Sequence, residues 1–205
     1  MKLGYLSSKY ETGNNGPATV SSGNGDAGGI SYGSYQMIAA TVKQFVGQHD
    51  FFWHKDFKEL TPCTKQFTDC WIAIANNNHD RFVEAEHNFI KATHYDKLVA
   101  KVLDEDVINL DERHDAVKQV VWSVAVQHGP GSKIIHNAMK TLQGVPHTTH
   151  MFDELLIKAI YAERRRKDSG GNLVWFSKNS AAVQKGVSNR FIAEEKDALE
   201  MLANQ

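Results

Sequence analysis

The sequence predicts a mainly α-helical protein with a small glycine-rich lobe. Apolar residues recur at three-to-four spacing along most of the chain, which is the period of an amphipathic helix. One such run is Phe152, Leu155, Leu156, Ala159 and Ile160. Prolines separate the helical segments, at Pro62, Pro130 and Pro146, where a residue without a backbone N–H does no harm. Seven of the fifteen glycines lie between positions 13 and 33, so we expect a long loop there.

The apolar periodicity places the helices with boundaries good to a few residues. The expected ranges are 3–12, 36–47, 64–76, 79–92, 94–103, 112–128, 131–142, 150–168 and 178–203. Two stretches inside the glycine-rich segment, 20–22 and 30–35, are compatible with a short hairpin, although glycine weakens a strand. The 205 residues suffice for one domain with a buried core.

Charge and hydropathy exclude several classes of protein. Lysine and arginine number 23 against 24 acidic residues, which argues against nucleic acid as the main partner. No apolar run reaches the roughly 18 to 20 residues of a membrane-spanning helix, and the start of the chain turns polar before a signal-peptide core forms. We therefore expect a monomer made in the cytoplasm without a signal peptide. Cys63 and Cys70 either stay reduced or close one small loop.

Glu11 is the candidate general acid. It stands at the expected end of the first helix, directly before the polar loop, where a carboxyl group can face a cleft. Partial desolvation and the negative end of a helix both raise the pKa of a carboxyl group. A glutamic acid that stays protonated near neutral pH can protonate the leaving oxygen of a glycosidic bond. The alternative is an ordinary surface glutamate.

Asp26 is the candidate second carboxylate, because no other acidic residue lies between Glu11 and Asp50. As a nucleophile it would lie about 5 to 5.5 Å from the acid, and as the base that activates water about 6.5 to 9.5 Å away. Two other roles remain open, a turn residue that caps the glycine loop and a cation ligand beside Asn24.

The segment after the loop carries groups suited to carbohydrate. Ser31, Ser34 and Gln36 offer hydrogen bonds to hydroxyl and acetamido groups. Tyr32 and Tyr35 alternate with them on opposite faces of an extended chain. We therefore expect one tyrosine to contact sugar and the other to pack in the core.

Three segments together resemble the lysozyme superfamily, in particular goose-type lysozymes and lytic transglycosylases. They are Glu11-Thr12-Gly13, Gly33-Ser34-Tyr35-Gln36-Met37 followed by Ala39-Ala40-Thr41, and Trp122 to Gly131. The last segment is similar to the one that closes the glycan cleft in those enzymes, which implies substrate contacts for Gln127 and His128. Tyr161 resembles their late tyrosine beside the catalytic glutamate. The alternatives are a helix-ending imidazolium for His128 and core packing for Tyr161.

The resemblance implies a single lysozyme-like catalytic domain over residues 1–205, with two lobes and no cofactor or metal. It implies a bacteriolytic muramidase that cleaves the β-1,4 bond between N-acetylmuramic acid and N-acetylglucosamine in peptidoglycan, or a lytic transglycosylase with an anhydro product. A phage endolysin or a secreted antibacterial effector would have this activity. Either reaches the periplasmic wall through a holin or a secretion machine, and an effector would have an immunity protein as a further partner.

Two hypotheses come from other classes of protein. A di-metal carboxylate bundle would use two carboxylate–histidine pairs spaced three apart. These pairs are Glu84 with His87 and Asp111 with His114. A non-catalytic wall-binding module would stack sugars on tryptophan and use the basic run at 164–167 for steering, although that run also fits a solvated helix face. The candidate tryptophans are Trp53, Trp71 and Trp175.

Overall fold

The computed structural model describes residues 1–10, 16–22 and 29–204. Glu11 and Asp26 lie outside the described residues. The chain forms two compact units, one of Met1–Tyr10 with Thr93–Gln205 and the other of Glu11–Ala92. We call them the terminal unit and the central unit.

Helices make up most of the described chain. In chain order the elements are α1 (Tyr5–Ser8), β1 (Ser31–Tyr32), β2 (Met37–Ile38), α2 (Ala39–Val46), α3 (His54–Phe57), α4 (Lys65–Asn77), α5 (His79–Ile90), α6 (Asp96–Asp106), α7 (Asp115–His128), α8 (Ile134–Thr141), α9 (His150–Arg164) and α10 (Ala181–Ala203). A π-helical turn, Lys91–Tyr95, separates α5 from α6. The prediction of a mainly α protein is confirmed.

The hairpin of the central unit differs from the expected one. β1 pairs antiparallel with β2, and Val20 makes only an isolated bridge to Tyr32. The chain reverses at Gly33 and Gln36, which both have positive φ, 76° and 48°. We expected Met37 at the start of a helix, but the ladder occupies it and α2 begins at Ala39. The short helix α3 was not predicted, because four residues are too few for a helical period to show in the sequence.

Aromatic side chains form the core of the central unit. Trp71 is fully buried, its ring lies 4.9 Å from that of Phe82, and its indole N–H donates to the carbonyl of Pro17 at 2.7 Å. Edge and tilted contacts of this kind stabilise a core beyond the area they bury. The other buried rings of this core are Tyr32, Phe45, Phe51, Trp53, Phe57, Phe67 and Phe89.

A carboxyl group lies against the hairpin in this aromatic core. The Glu86 side chain is fully buried and contacts the backbone at Gly33 so closely that a Cβ atom there would lie 1.7 Å from its Oε1. The next contacts of that Cβ would be Glu86 Cδ at 2.9 Å and Trp71 Cζ2 at 3.1 Å. Only glycine fits this position, both for its positive φ and for the space.

The terminal unit packs α7 against α1, α9 and α10. Along α7 the apolar face expected from the sequence is buried, with Val117, Val120, Val121, Val124 and Ala125. A charged network lies beside it. Arg164 and Glu194 are both fully buried and form an ion pair of 3.1 Å. The interpretation of the basic run as a solvated face is therefore wrong for Arg164, although Arg166 and Lys167 are exposed.

The described residues also bear on membrane spans and on the two cysteines. None of their helices is long and apolar enough to cross a membrane. Cys63 and Cys70 are free thiols, and Cys63 is exposed.

The buried ion pair predicts a large loss of stability when one partner is removed. In Glu194→Ala the Arg164 guanidinium would stay buried without its carboxylate, and we expect the free energy of unfolding to fall by roughly 3 to 5 kcal/mol. The control is Glu200→Ala, which removes an exposed pair with Lys196 at 3.6 Å and should cost at most about 1 kcal/mol. Urea denaturation measures both. Equal losses in the two variants would contradict the stabilising role of the buried pair.

Gly33→Ala tests the packing of the hairpin. It adds backbone strain of roughly 1 to 2 kcal/mol to an overlap with Glu86 that costs about 1 to 3 kcal/mol more. Gly29→Ala is the matched control, since Gly29 has a φ of 70° but nothing within 4 Å of its missing Cβ, so only the strain applies. Thermal unfolding compares the two variants. If Gly29→Ala destabilises the chain as much as Gly33→Ala, close contact with Glu86 is not what selects glycine.

Candidate functional site

The hairpin of the central unit gathers five residues that the sequence predicts for substrate binding. Four of them, Ser31, Ser34, Tyr35 and Gln36, are half-buried, and Tyr32 is fully buried. The turn between β1 and β2 carries Ser34 and Tyr35, so the strand alternation expected over this segment ends at Gly33. Polar side chains at the surface of a rigid turn are the groups that hold a hydroxyl-rich ligand.

Side chains of the turn hold its own backbone. Ser31 Oγ lies 2.7 Å from Gln36 Oε1 and 2.9 Å from Ser21 Oγ. The Gln36 side-chain amide donates to the carbonyl of Gly33 at 2.9 Å. These bonds explain how Gln36, which is not a glycine, keeps its left-handed backbone. They also use part of the hydrogen-bonding capacity of Ser31 and Gln36.

The two tyrosines differ in their surroundings. Tyr32 packs edge-on against Phe67, and its hydroxyl bonds to Thr68 at 2.8 Å. Its exposed fraction is zero, so it has no surface to offer a ligand in this conformation. Tyr35 is half-buried, and its hydroxyl lies 3.0 Å from His87 Nδ1. Tyr35 is therefore the tyrosine of this pair that remains accessible, and its contact with sugar stays a prediction.

Glu86 bonds to the backbone of the turn from the buried side of the hairpin. Its two carboxyl oxygens lie 3.2 and 3.4 Å from the backbone nitrogen of Ser34, which donates to them. Burial raises the pKa of Glu86 to about 8, although the hydrogen bonds from Ser34 act in the opposite direction. The group is therefore mainly neutral at pH 7, because the desolvation cost of the charged form exceeds what the side-chain and backbone hydrogen bonds from Ser34 return.

Sequence reasoning missed Glu86 and selected its neighbours Glu84 and His87. The signal was present in the helical register, since Phe82, Phe89 and Ile90 are buried on the same face of α5 at spacings of three and four from Glu86. An acidic residue on an apolar face marks a buried carboxyl group. Glu86 has no exposed surface, and the contact that it makes here is with the backbone of the turn.

In the terminal unit, the residues predicted for substrate binding belong to the buried network. Gln127 Oε1 accepts a hydrogen bond from Arg164. The hydroxyl of Tyr161 donates to Glu194 at 3.2 Å, Tyr161 is fully buried, and burial raises the pKa of its hydroxyl well above the ordinary value. In this conformation Tyr161 packs in the core and donates one hydrogen bond. This is the alternative role, core packing, that the sequence left open for it.

His128 lies in an aromatic environment beside this network. Its ring centroid is 5.5 Å from that of Phe176 and 6.1 Å from that of Trp175. Burial, followed by the charges of Arg164 and Arg190, lowers the pKa of His128 to about 3. The imidazole is therefore neutral, and the interpretation of His128 as a helix-ending imidazolium is wrong.

The residues proposed for a di-metal bundle and for a wall-binding module make other contacts in the structure. Tyr95 donates to Asp111, and His114 accepts from the N–H of Ala116 at the start of α7. In the described parts of the chain, Glu84, His87, Asp111 and His114 form no group close enough to share an ion. Trp53 and Trp71 are buried and Trp175 is half-buried, which leaves little indole surface for stacking on a sugar.

Comparison with known proteins identifies a family over almost the whole chain. Residues 3–196 match the family described as type VI secretion system spike protein VgrG3-like, C-terminal. The chain is also similar to the type VI secretion system spike protein VgrG3 of Vibrio cholerae serotype O1 (strain ATCC 39315 / El Tor Inaba N16961), with 33% identity over 204 residues. That alignment covers 97% of this chain and 19% of the relative, so the chain spans about a fifth of the relative's length.

These matches correct the assignment made from short motifs. The resemblance to the lysozyme superfamily is wrong, and with it the muramidase or transglycosylase function that it implied, since the family found over residues 3–196 is a different one. Local backbone needs account for part of the resemblance. Gly33 and Gly129 have positive φ, so glycine recurs at such turns in unrelated proteins. The chain belongs to the type VI secretion system spike protein VgrG3-like, C-terminal family.

Proposed function

We propose that this chain is an effector domain that a type VI secretion machine carries into a target bacterial cell. The observation that carries this proposal is the family match over residues 3–196, because that family is named for the C-terminal part of a secretion spike protein. A spike is part of the delivery machinery, so a domain attached to it would be delivered together with it. The partners of this chain then include that machinery.

We further propose that the domain is an enzyme of the glycoside hydrolase class. Glu11 supplies the proton to the leaving oxygen, and Asp26 supplies the second carboxylate as nucleophile or base. The hairpin supports this assignment, since Ser31 on β1 and Ser34 and Gln36 in the adjoining turn offer polar groups. Glu86 holds the backbone of that turn.

The proposed glycan-binding face is the accessible side of the hairpin lobe. Ser34 and Tyr35 contribute most, since neither side chain is fully buried, although Glu86 accepts a hydrogen bond from the Ser34 side chain as well as from its backbone. Gln127 and His128, in the terminal unit, are separate candidates for glycan contacts. The network around Arg164 already engages Gln127, and aromatic rings surround His128. Tyr32 and Tyr161 would take part only as support.

Peptidoglycan is the proposed partner in the target cell, and the periplasm the proposed place of action. An attacking cell that carries such a domain needs protection, so an immunity protein is a further proposed partner.

Substitution of Glu11 tests the enzymatic proposal. We expect the purified chain to release new reducing ends from wall sacculi or chitooligosaccharides, and Glu11→Gln to lower that rate by roughly a hundredfold or more, because the amide cannot donate the proton. A reducing-end assay measures the rate, and sedimentation with sacculi measures binding. Directed to the periplasm of a Gram-negative host, the unsubstituted chain should stop growth and Glu11→Gln should not.

Glu59→Gln is the matched control, since Glu59 is an exposed glutamate of the same unit, and it should keep the full rate. If Glu11→Gln releases reducing ends as fast as the unsubstituted chain, the enzymatic proposal fails. If the unsubstituted chain binds sacculi without releasing any, the wall-binding alternative is correct.

A further inference from the structure

Helix α6 ends in a run of acidic residues that its own dipole disfavours. Its last three residues are Asp104, Glu105 and Asp106, and its last turn contains no basic residue. The C-terminus of a helix carries a partial negative charge of about half an elementary charge, which is stabilised by cations and destabilised by carboxylates. Lys101, one turn earlier, is held elsewhere, since its ammonium group donates to the carbonyls of Gly131 and Ser132. The end of α6 therefore concentrates negative charge.

One carboxylate of this run, that of Asp106, is buried and has one oxygen without a hydrogen bond to any described residue. The Asp106 side chain is 8% exposed. Its Oδ1 lies 2.8 Å from His136 Nδ1, while its Oδ2 is buried and has no hydrogen-bond partner among the described residues. A buried carboxylate oxygen without a donor costs free energy, and a bound cation removes that cost.

Side chains from two helices bring three ligand atoms together here. His136 on α8 places Nδ1 3.9 Å from Glu105 Oε2, in addition to its contact with Asp106. The ligand atoms of the three residues all lie within 4.8 Å of one another. Tetrahedral ligands about 2.0 to 2.2 Å from one zinc ion lie roughly 3.3 to 3.6 Å apart. On binding an ion, the 2.8 Å hydrogen-bond contact of His136 Nδ1 with Asp106 would therefore open by about half an ångström, and the 3.9 Å separation from Glu105 would close by about the same amount.

We propose that Glu105, Asp106 and His136 bind a divalent transition-metal ion of the zinc type. An imidazole nitrogen with two carboxylates is a ligand set for Zn²⁺, whereas Ca²⁺ and Mg²⁺ prefer oxygen ligands and higher coordination numbers. Three protein ligands leave a coordination position for water or for another ligand. The ion would neutralise the end of α6 and link it to α8.

The chain contains a second histidine–aspartate pair that serves as a control. His79 Nδ1 lies 2.9 Å from Asp80 Oδ1, close to the separation in the proposed site. That pair is exposed, with side-chain exposures of 61% and 103%, and it belongs to no larger ligand group of the described residues. Substitutions in this pair therefore measure how much an ordinary surface histidine beside a carboxylate contributes to zinc binding.

Zinc titration of the purified chain, stripped with a chelator, tests the proposal. Competition with a chromophoric zinc chelator measures the affinity and the number of ions per chain. We expect Asp106→Asn and His136→Gln each to weaken the tightest zinc site by about tenfold or more, and Asp80→Asn and His79→Gln to leave it unchanged. Circular dichroism checks that the variants fold, and the ring resonances of His136 in NMR spectra of the unsubstituted chain give a readout without substitution.

The proposal is overturned if His136→Gln binds zinc as tightly as the unsubstituted chain, or if zinc leaves the His136 ring resonances unmoved. A stronger response to Ca²⁺ than to Zn²⁺ would also overturn it, since that preference requires an oxygen site. None of these readouts depends on glycan hydrolysis, so the result stands apart from the enzymatic proposal.

Discussion

The geometry of the hairpin depends on a carboxyl group buried against a residue that has no side chain. Glu86 fills the space where a Cβ of Gly33 would lie and accepts the N–H of Ser34. Because burial raises the pKa of Glu86 to about 8, it does this mainly as a neutral acid at pH 7. Each unit by which a pKa is raised represents about 1.4 kcal/mol of preference for the neutral form. A charged group in the same place would have to be paired, and α5 would then have to present a cation to the aromatic core.

The raised pKa also fixes how this contact responds to pH. In the unfolded chain the carboxyl group ionises near its ordinary value of 4.5, while in the folded chain it keeps its proton to about 8. The folded state binds more protons between these values, so the contribution of Glu86 to stability is complete below pH 4.5 and is lost as the pH rises towards 8. The terminal unit also buries a glutamate, but there Glu194 forms ion pairs with Arg164 and Arg190. One unit neutralises its buried acid with a proton and the other with cations.

Most helices follow from the sequence because their apolar period is regular. The ranges predicted at 64–76 and 79–92 correspond to α4 and α5, and apolar spacing also placed α7, α9 and α10. The polar groups inside the core were not predicted, since Glu86, Arg164 and Glu194 each occupy a buried register position that the sequence alone presents as an ordinary charge. The hairpin partner of β1 was missed because two-residue strands have too short an alternation to detect. Motifs of a few residues indicated a family, but a match over residues 3–196 assigned the chain to another.

The neutral state of Glu86 is the central claim, since the turn that carries the proposed glycan-binding groups rests on it. NMR titration of the chain labelled with ¹³C at the glutamate carboxyl carbons tests it most directly, with Glu86→Gln to identify the signal. The Glu86 resonance is expected to move with a midpoint near pH 8, because burial keeps the group protonated. A midpoint near 4.5 would show that this carboxyl group is ionised at neutral pH, and would contradict the account of how the hairpin is held.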